Sequence, residues 1–253
     1  MTGEQVEIKV AKVNKVLRGK QVLRDLDLEV MRGETLVIIG RSGTGKSVLL
    51  KHIIGLIRPD SGRIFVGGDE LTGKRESALE PIRRRLGMLF QNAALLNSLT
   101  VGENVGLGLR EARGLKDEEI RKIVTEKLEL VGLGGTEDVM PAELSGGMKK
   151  RVGLARALAM EPEIMLYDEP TAGLDPVMSQ NIDELIMDMK DKLRMTSIVV
   201  THDMISTFGV ADTVGMLYDG RIIAKGTPDE IEHSKDPVVT EFMERDFTWR
   251  RGK

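Results

Sequence analysis

The strongest constraint on this chain is an abrupt change of backbone character within residues 36–54. Leu36-Val37-Ile38-Ile39 is a continuous apolar run, Gly40 to Ser47 is a glycine-rich turn, and Val48-Leu49-Leu50-Lys51-His52-Ile53-Ile54 reads as a helix. An apolar run of that length, bounded by a turn, predicts a core strand covered on both faces. The turn is Gly40-Arg41-Ser42-Gly43-Thr44-Gly45-Lys46-Ser47, which fits G-x-x-x-x-G-K-[ST] in the strand–loop–helix setting that motif requires. Its glycines let the backbone curl until successive N–H groups point at one anion. The following helix turns the positive end of its dipole the same way. Lys46 offers a full charge to β- and γ-phosphates, and the Ser47 hydroxyl can ligate Mg2+. The motif implies a nucleoside triphosphate; alone it does not choose among kinase, GTPase and ATPase.

A second apolar strand ends in carboxylates. Ile164-Met165-Leu166-Tyr167 runs into Asp168-Glu169, then Pro170. Ligands collect at the C-terminal ends of strands in open α/β sheets. One carboxylate there can hold the metal, and a second can polarise the attacking water. Asp168 is assigned to the metal and Glu169 to the water. An acidic turn before a proline is common in isolation, so this assignment leans on Lys46 upstream.

Short β-branched runs alternate with longer helical ones, which predicts α/β architecture. Glu7-Ile8-Lys9-Val10 and Leu26-Asp27-Leu28-Glu29-Val30 alternate apolar and polar residues, as half-buried antiparallel strands do. Ser197-Ile198-Val199-Val200 reads as a further core strand. Residues 92–160 read as a mostly helical insertion, with one helix opening at Lys116-Asp117-Glu118-Glu119-Ile120 and its apolar face continued by Leu128, Val131 and Leu133. Another helix is expected over Asn181–Leu193, with Ile182, Leu185, Ile186, Met189 and Leu193 on one stripe.

The net charge of −3 provides no global basic field, so no nucleic-acid partner is expected. No cysteine is present, which excludes disulfides and thiolate metal sites. The polar start, Met1 to Glu7, does not read as a secretory signal, and no apolar run approaches membrane-spanning length. Any work at a membrane is therefore expected to need another chain that crosses it.

Leu144-Ser145-Gly146-Gly147-Met148 lies just before a helix predicted over Lys149–Ala159, and Ser145 is 23 residues before Asp168. Taken alone, Ser145 reads first as a helix cap; a second anion site is the other reading. With this segment the chain resembles the ATP-binding cassette (ABC) ATPases over nearly its whole length. The likeness is carried by Gly40–Ser47, by Gln91 in Met88-Leu89-Phe90-Gln91, by Leu144–Gly147, and by Tyr167-Asp168-Glu169-Pro170. Ala172-Gly173-Leu174-Asp175-Pro176 and Val200-Thr201-His202-Asp203 complete it, in order.

The resemblance implies a fold and a set of roles. The fold is a P-loop NTPase core with an antiparallel β-subdomain and a helical subdomain. Residues 1–91 and 161–232 would form the nucleotide-binding core, 92–160 the helical subdomain and 233–253 a C-terminal tail. Gln91 would touch Mg2+ or water and relay nucleotide state to a membrane partner. Ser145 and Gly147 would bind the γ-phosphate held on another copy's Lys46, with Asp175 across the dimer interface. His202 would contact the γ-phosphate and orient Glu169. His52 and His233 have no such support and read as a helix-face and a surface residue.

Two departures from the family pattern stand out. Met148 occupies a position where most members have Gln. The stretch Lys15-Val16-Leu17-Arg18-Gly19 lacks the aromatic that normally stacks on adenine, which weakens base selectivity by part of the ~1–3 kcal/mol that stacking supplies; ATP is expected, with GTP accepted as well.

One cassette per chain implies a head-to-tail homodimer with two identical sites and separate integral-membrane permease subunits. Met140-Pro141-Ala142 leading into Glu143–Met148, Met88 to Leu95, and Asp236-Pro237-Val238-Val239-Thr240-Glu241-Phe242 resemble the ATPase subunits of Mla/Mce-type phospholipid transport systems. That branch implies an MCE-domain substrate-binding protein as a partner and a peripheral place on the cytoplasmic face of the inner membrane. Solute import and a non-transport, cluster-assembly role are the alternatives. A kinase reading leaves Leu144–Gly147 unexplained. The end of the chain, with Phe242, Arg245, Phe247, Trp249, Arg250 and Arg251, reads first as a frayed terminus and otherwise as a docking segment.

Overall fold

Two sheets organise the chain, whose computed structural model describes residues 5–112 and 114–247. In order, the elements begin with β1 (Val6–Leu17), β2 (Lys20–Met31), β3 (Thr35–Ile39), α1 (Lys46–Ile53), β4 (Ser61–Val66), β5 (Asp69–Glu70), α2 (Glu76–Arg83) and β6 (Leu86–Leu89). Three helices follow, α3 (Val101–Ala112), α4 (Asp117–Leu130) and α5 (Gly146–Ala159). The chain then returns through β7 (Ile164–Asp168), α6 (Pro176–Leu193), β8 (Thr196–Val200), α7 (Met204–Val210), β9 (Thr213–Tyr218) and β10 (Arg221–Gly226). It ends with α8 (Pro228–Glu232) and α9 (Pro237–Phe247).

The first sheet is antiparallel, in the order β2-β1-β4-β5. Its alternating residues behave as expected, with Ile8, Val10, Leu26, Leu28 and Val30 buried and Lys9, Asp27 and Glu29 not, except that Glu7 is also buried, its carboxylate paired with Arg85 at 3.1 Å. The second sheet has the order β10-β9-β3-β8-β7-β6 and is parallel from β9 to β6, with β10 antiparallel at one edge. Every residue of β3, β7 and β8 is buried. Alternation across β3 explains why its run is wholly apolar. Leu36 and Ile38 face a core shared with the antiparallel sheet and α1, while Val37 and Ile39 join the core built from α3 to α6. The phosphate-loop strand is thus clamped between two cores.

Helix starts differ from expectation at two places, and backbone capping explains both. α5 begins at Gly146, not Lys149, because the Ser145 Oγ accepts from the Met148 N–H at 3.3 Å. α6 begins at Pro176, not Asn181, because Asp175 Oδ1 accepts from the N–H groups of Val177 and Met178, each at 3.0 Å. Proline at the first helical position gives up an N–H that would have had no partner there. Periodicity locates the apolar stripe; the cap locates the start.

His52 is on a face of α1, as expected, and that face is buried: the residue is only 1% exposed, with Nδ1 2.7 Å from the Val48 carbonyl. His233 does lie at the surface, at the end of α8. The frayed-terminus reading fails as far as Glu244: α9 buries Val239, Phe242 and Met243 in the larger core. Trp249, Arg250 and Arg251 lie outside the described residues, as do the side chains of Arg245 and Phe247.

Candidate functional site

All the chemistry-bearing segments of the sheet emerge at one edge, the C-terminal ends of its parallel strands. Gly40 follows β3, Gln91 follows β6, Asp168 and Glu169 end β7, and His202 follows β8. Strands β3, β8 and β7 are neighbours, so residues far apart in sequence converge.

The loop from Gly40 to Ser47 owes its path to glycine at two tight points. At Gly40 (φ +153°) an added Cβ would lie 2.5 Å from the Leu217 carbonyl oxygen. At Gly45 (φ +107°), the N-cap of α1, it would lie 2.8 Å from Val22 Cγ1. No side chain caps α1, so its first-turn N–H groups open toward the loop's concavity. That concavity is a cleft of about 280 Å3, lined in part by Ser42, Gly45, Lys46, Ser47, Gln91 and Glu169.

Lys46 is only 5% exposed. Its ammonium donates to the Gly40 carbonyl at 2.6 Å and the Arg41 carbonyl at 3.3 Å, and stands 3.6 Å from Glu169 Oε1. Burial pulls its pKa below the ordinary lysine value, and the Glu169 charge pulls it back up. Thr44 Oγ1 donates to the Arg41 carbonyl at 2.9 Å and so braces the loop. Ser47 Oγ donates to Asp168 Oδ1 at 2.6 Å. Arg41 points elsewhere: its guanidinium pairs with Glu241 of α9 at 3.1 Å.

Glu169 is held in the left-handed region at φ +48°. Its N–H donates to the Val200 carbonyl at 2.9 Å, and its Oε2 lies 2.8 Å from His202 Nδ1. That contact puts a ring proton on Nδ1 and leaves Nε2 turned away from the carboxylate. The side chain of Glu169 is 12% exposed, whereas that of His202 is 65% exposed. The structure therefore gathers Gly40–Ser47, Gln91, Asp168, Glu169 and His202 at one cleft.

Ser145, Gly147 and Asp175 form a separate group and do not line that cleft. They are neighbours of one another: a Cβ at Gly147 would meet Met178 Cε at 2.4 Å, and one at Gly146 would meet Leu174 Cδ2 at 3.5 Å. Ser145 is exposed, and its hydroxyl serves as the cap of α5.

Two participants had escaped the sequence reading. Lys150 is 5% exposed and donates to the main-chain carbonyls of Gln91 and Glu169. The pair Lys149-Lys150 looks like a solvated helix face; only the helical phase, with Gly147 and Leu154 on the same buried side, hints otherwise. Asp183, on α6, is 8% exposed and accepts from Ser206 Oγ at 2.8 Å, and Ser206 in turn lies 3.4 Å from Thr171 Oγ1. This buried polar bridge joins the segments following Glu169, Asp175 and His202.

The comparisons with known proteins agree with this geometry. The family model described as "ABC transporter" matches residues 23–172. The chain is 42% identical over 238 residues to the probable ribonucleotide transport ATP-binding protein mkl of Mycobacterium leprae, covering 94% of this chain and 69% of that protein. It is 40% identical over 227 residues to the intermembrane phospholipid transport system ATP-binding protein MlaF of Haemophilus influenzae, covering 89% and 86%. It is 42% identical over 242 residues to the methionine import ATP-binding protein MetN 1 of Salmonella typhi, covering 94% and 70%. Among solved structures, the dimeric post-hydrolysis cassette MJ0796 bound to ADP and Pi superposes with a TM-score of 0.81 at 32% identity, covering 87% of this chain and 98% of that one. Matched in family model, fold and relatives at 40% identity or more, the chain belongs to the ATP-binding proteins of the ABC transporter family and is an ATPase.

Proposed function

We propose that this chain is the nucleotide-binding subunit of a membrane transport complex and that it drives phospholipid transfer. The observation that carries the ATPase part is the convergence of Lys46, the Ser47–Asp168 pair and the Glu169–His202 pair on one cleft. In this reading the loop N–H groups and Lys46 bind the phosphates of ATP. Glu169 accepts a proton from the attacking water, His202 holds its carboxylate in line, and ADP and phosphate leave. Ser47 and Asp168 bring two hard oxygen donors together, and Gln91 lines the same cleft, a donor set that suits Mg2+ alongside substrate phosphates. The cation would neutralise charge on the phosphates. We also propose the division into a core of 1–91 and 161–232, a helical lobe of 92–160 and a tail of 233–253.

Ser145, Gly147 and Asp175 act on a second copy in this proposal. They sit together, outside the cleft that holds Lys46, as a head-to-tail homodimer requires. The dimeric state of the MJ0796 cassette supports it. No helix among the described residues is long and apolar enough to cross a membrane, so the complex would need integral-membrane permease subunits.

Phospholipid as cargo is supported by the likeness to MlaF, which spans 86% of that protein. An MCE-domain partner and a peripheral position on the cytoplasmic face of the inner membrane belong to the same reading. Solute import is the second reading, favoured by the comparable identity to MetN 1. Two experiments test the proposal. Glu169→Gln should bind ATP, accumulate a closed dimer and lose turnover; hydrolysis at the wild-type rate would remove Glu169 as the base. Purification of the native complex from membranes should recover permease subunits with bound phospholipid, and recovery of a solute-binding partner instead would decide for import.

A further inference from the structure

Glu169 occupies a backbone conformation that a side-chain-bearing residue does not hold unaided. Its φ of +48° is left-handed, a geometry that costs about 1 kcal/mol or more outside glycine. Three ties maintain it. The N–H is fixed to the Val200 carbonyl, the carboxylate to His202, and the carbonyl oxygen to the Lys150 ammonium at 3.0 Å. The same ammonium also donates to the carbonyl of Gln91, the first residue after β6 and Phe90.

Lys150 makes these bonds from inside the protein. A lysine this deeply buried loses solvation and side-chain freedom, and is retained only where its ammonium is well partnered. Burial lowers its pKa, and the charges of Asp168 and Glu169 oppose that shift. A compact ammonium with three donors suits two carbonyls arriving from different elements; a planar guanidinium or a single amide does so less readily. The helix that carries it, α5, begins at Gly146 and is capped by Ser145, so one rigid rod joins the Ser145–Gly147 turn to the backbones of Gln91 and Glu169.

We propose that Lys150 is a positioning residue for hydrolysis: it fixes the main chain of Glu169 and Gln91 to α5, so that the placement of α5 sets the aim of the Glu169 carboxylate. The inference rests on the reading of Glu169 as the base. The partners of the Lys150 ammonium are main-chain carbonyls, so it acts through Glu169.

The test is steady-state and single-turnover ATP hydrolysis by Lys150→Met, Lys150→Arg, Glu169→Gln and the double variant Lys150→Met/Glu169→Gln, each with its melting temperature. Lys150→Met should lower kcat by about 10- to 100-fold, the scale of a misplaced catalytic group, with KM for ATP within about threefold of wild type. Lys150→Arg, which keeps the charge but fits the two carbonyls less well, should recover part of kcat and keeps the test alive should the methionine variant fold poorly. In the Glu169→Gln background the methionine change should cost nothing further, because the group it aims has gone. A lowered melting temperature with unchanged kcat, a loss confined to KM, or a full additional loss in the double variant would overturn the proposal. Wild-type turnover by Glu169→Gln alone would instead bring down the reading of the base, so the two failures are separable.

Discussion

Replacing Asp183 by Asn puts a number on the buried bridge behind the active-site edge. One carboxylate oxygen accepts from Ser206 Oγ at 2.8 Å, while Oδ1 has no partner among the described residues. Burial pushes the pKa of Asp183 up from 3.8 to about 6; the Asp203 charge adds to the rise and the Ser206 hydroxyl opposes it. The gap between 3.8 and about 6 corresponds to at most about 3 kcal/mol. The sign follows from which state binds the proton. Above pH 6 the carboxylate is charged in both states, and only the folded state bears the cost of desolvating it. As pH falls from about 6 to 3.8 the folded protein takes up the proton first, so this group's contribution to stability rises and is complete below 3.8. An asparagine keeps the acceptor for Ser206 and does not titrate. Its amide would leave donors unpartnered where Oδ1 stood, at a cost of about 1–3 kcal/mol, so the absolute difference at any one pH is smaller than the pH-dependent part. Denaturant unfolding of both proteins between pH 8 and pH 4.5 should show the stability difference moving toward wild type by about 2 kcal/mol as pH falls. A flat difference would refute the reasoning, since it would mean that Asp183 is not desolvated in the fold.

Two further outcomes test local determinants. Asp175→Ala removes the acceptor for the Val177 and Met178 N–H groups and should cost about 1 kcal/mol in nucleotide-free urea unfolding, with Asp175→Ser recovering most of it. Gly62→Ala should lower the unfolding midpoint by more than a typical surface change, on the order of 2 kcal/mol or above, because φ is +91° and the new Cβ would lie 2.3 Å from the Lys12 carbonyl oxygen.

Much of the core was legible because its strands are short, apolar and bounded by turns. β3, β7 and β8 read directly as buried strands, and β1 and β2 as half-buried ones. Helix interiors were legible for the same reason, while helix starts were not. The stripe from Ile182 onward says nothing about Pro176, whose place depends on a carboxylate satisfying two backbone N–H groups. The tail shows the opposite weakness. Val239, Phe242 and Met243 look like isolated apolar residues near a basic terminus, and only the groove that receives them makes them core.

What the sequence alone determined is the local chemistry: a loop that must curl, a lysine and hydroxyl at its helix entrance, two carboxylates at a strand end, and caps waiting at Ser145 and Asp175. Those follow from neighbours in the chain, because φ preferences and first-turn hydrogen bonds reach only a few residues. The tertiary structure decided what meets what. It brought Ser47 to Asp168 across 121 residues and Glu169 to His202 across 33, and it placed Ser145 and Gly147 apart from the cleft of their own chain. It also chose Lys150 over Lys149 as the buried cation at the Glu169 carbonyl, and left the Asp183 carboxylate largely buried. Burial is a property of long-range packing, so two adjacent lysines with the same local sequence preferences can have opposite fates.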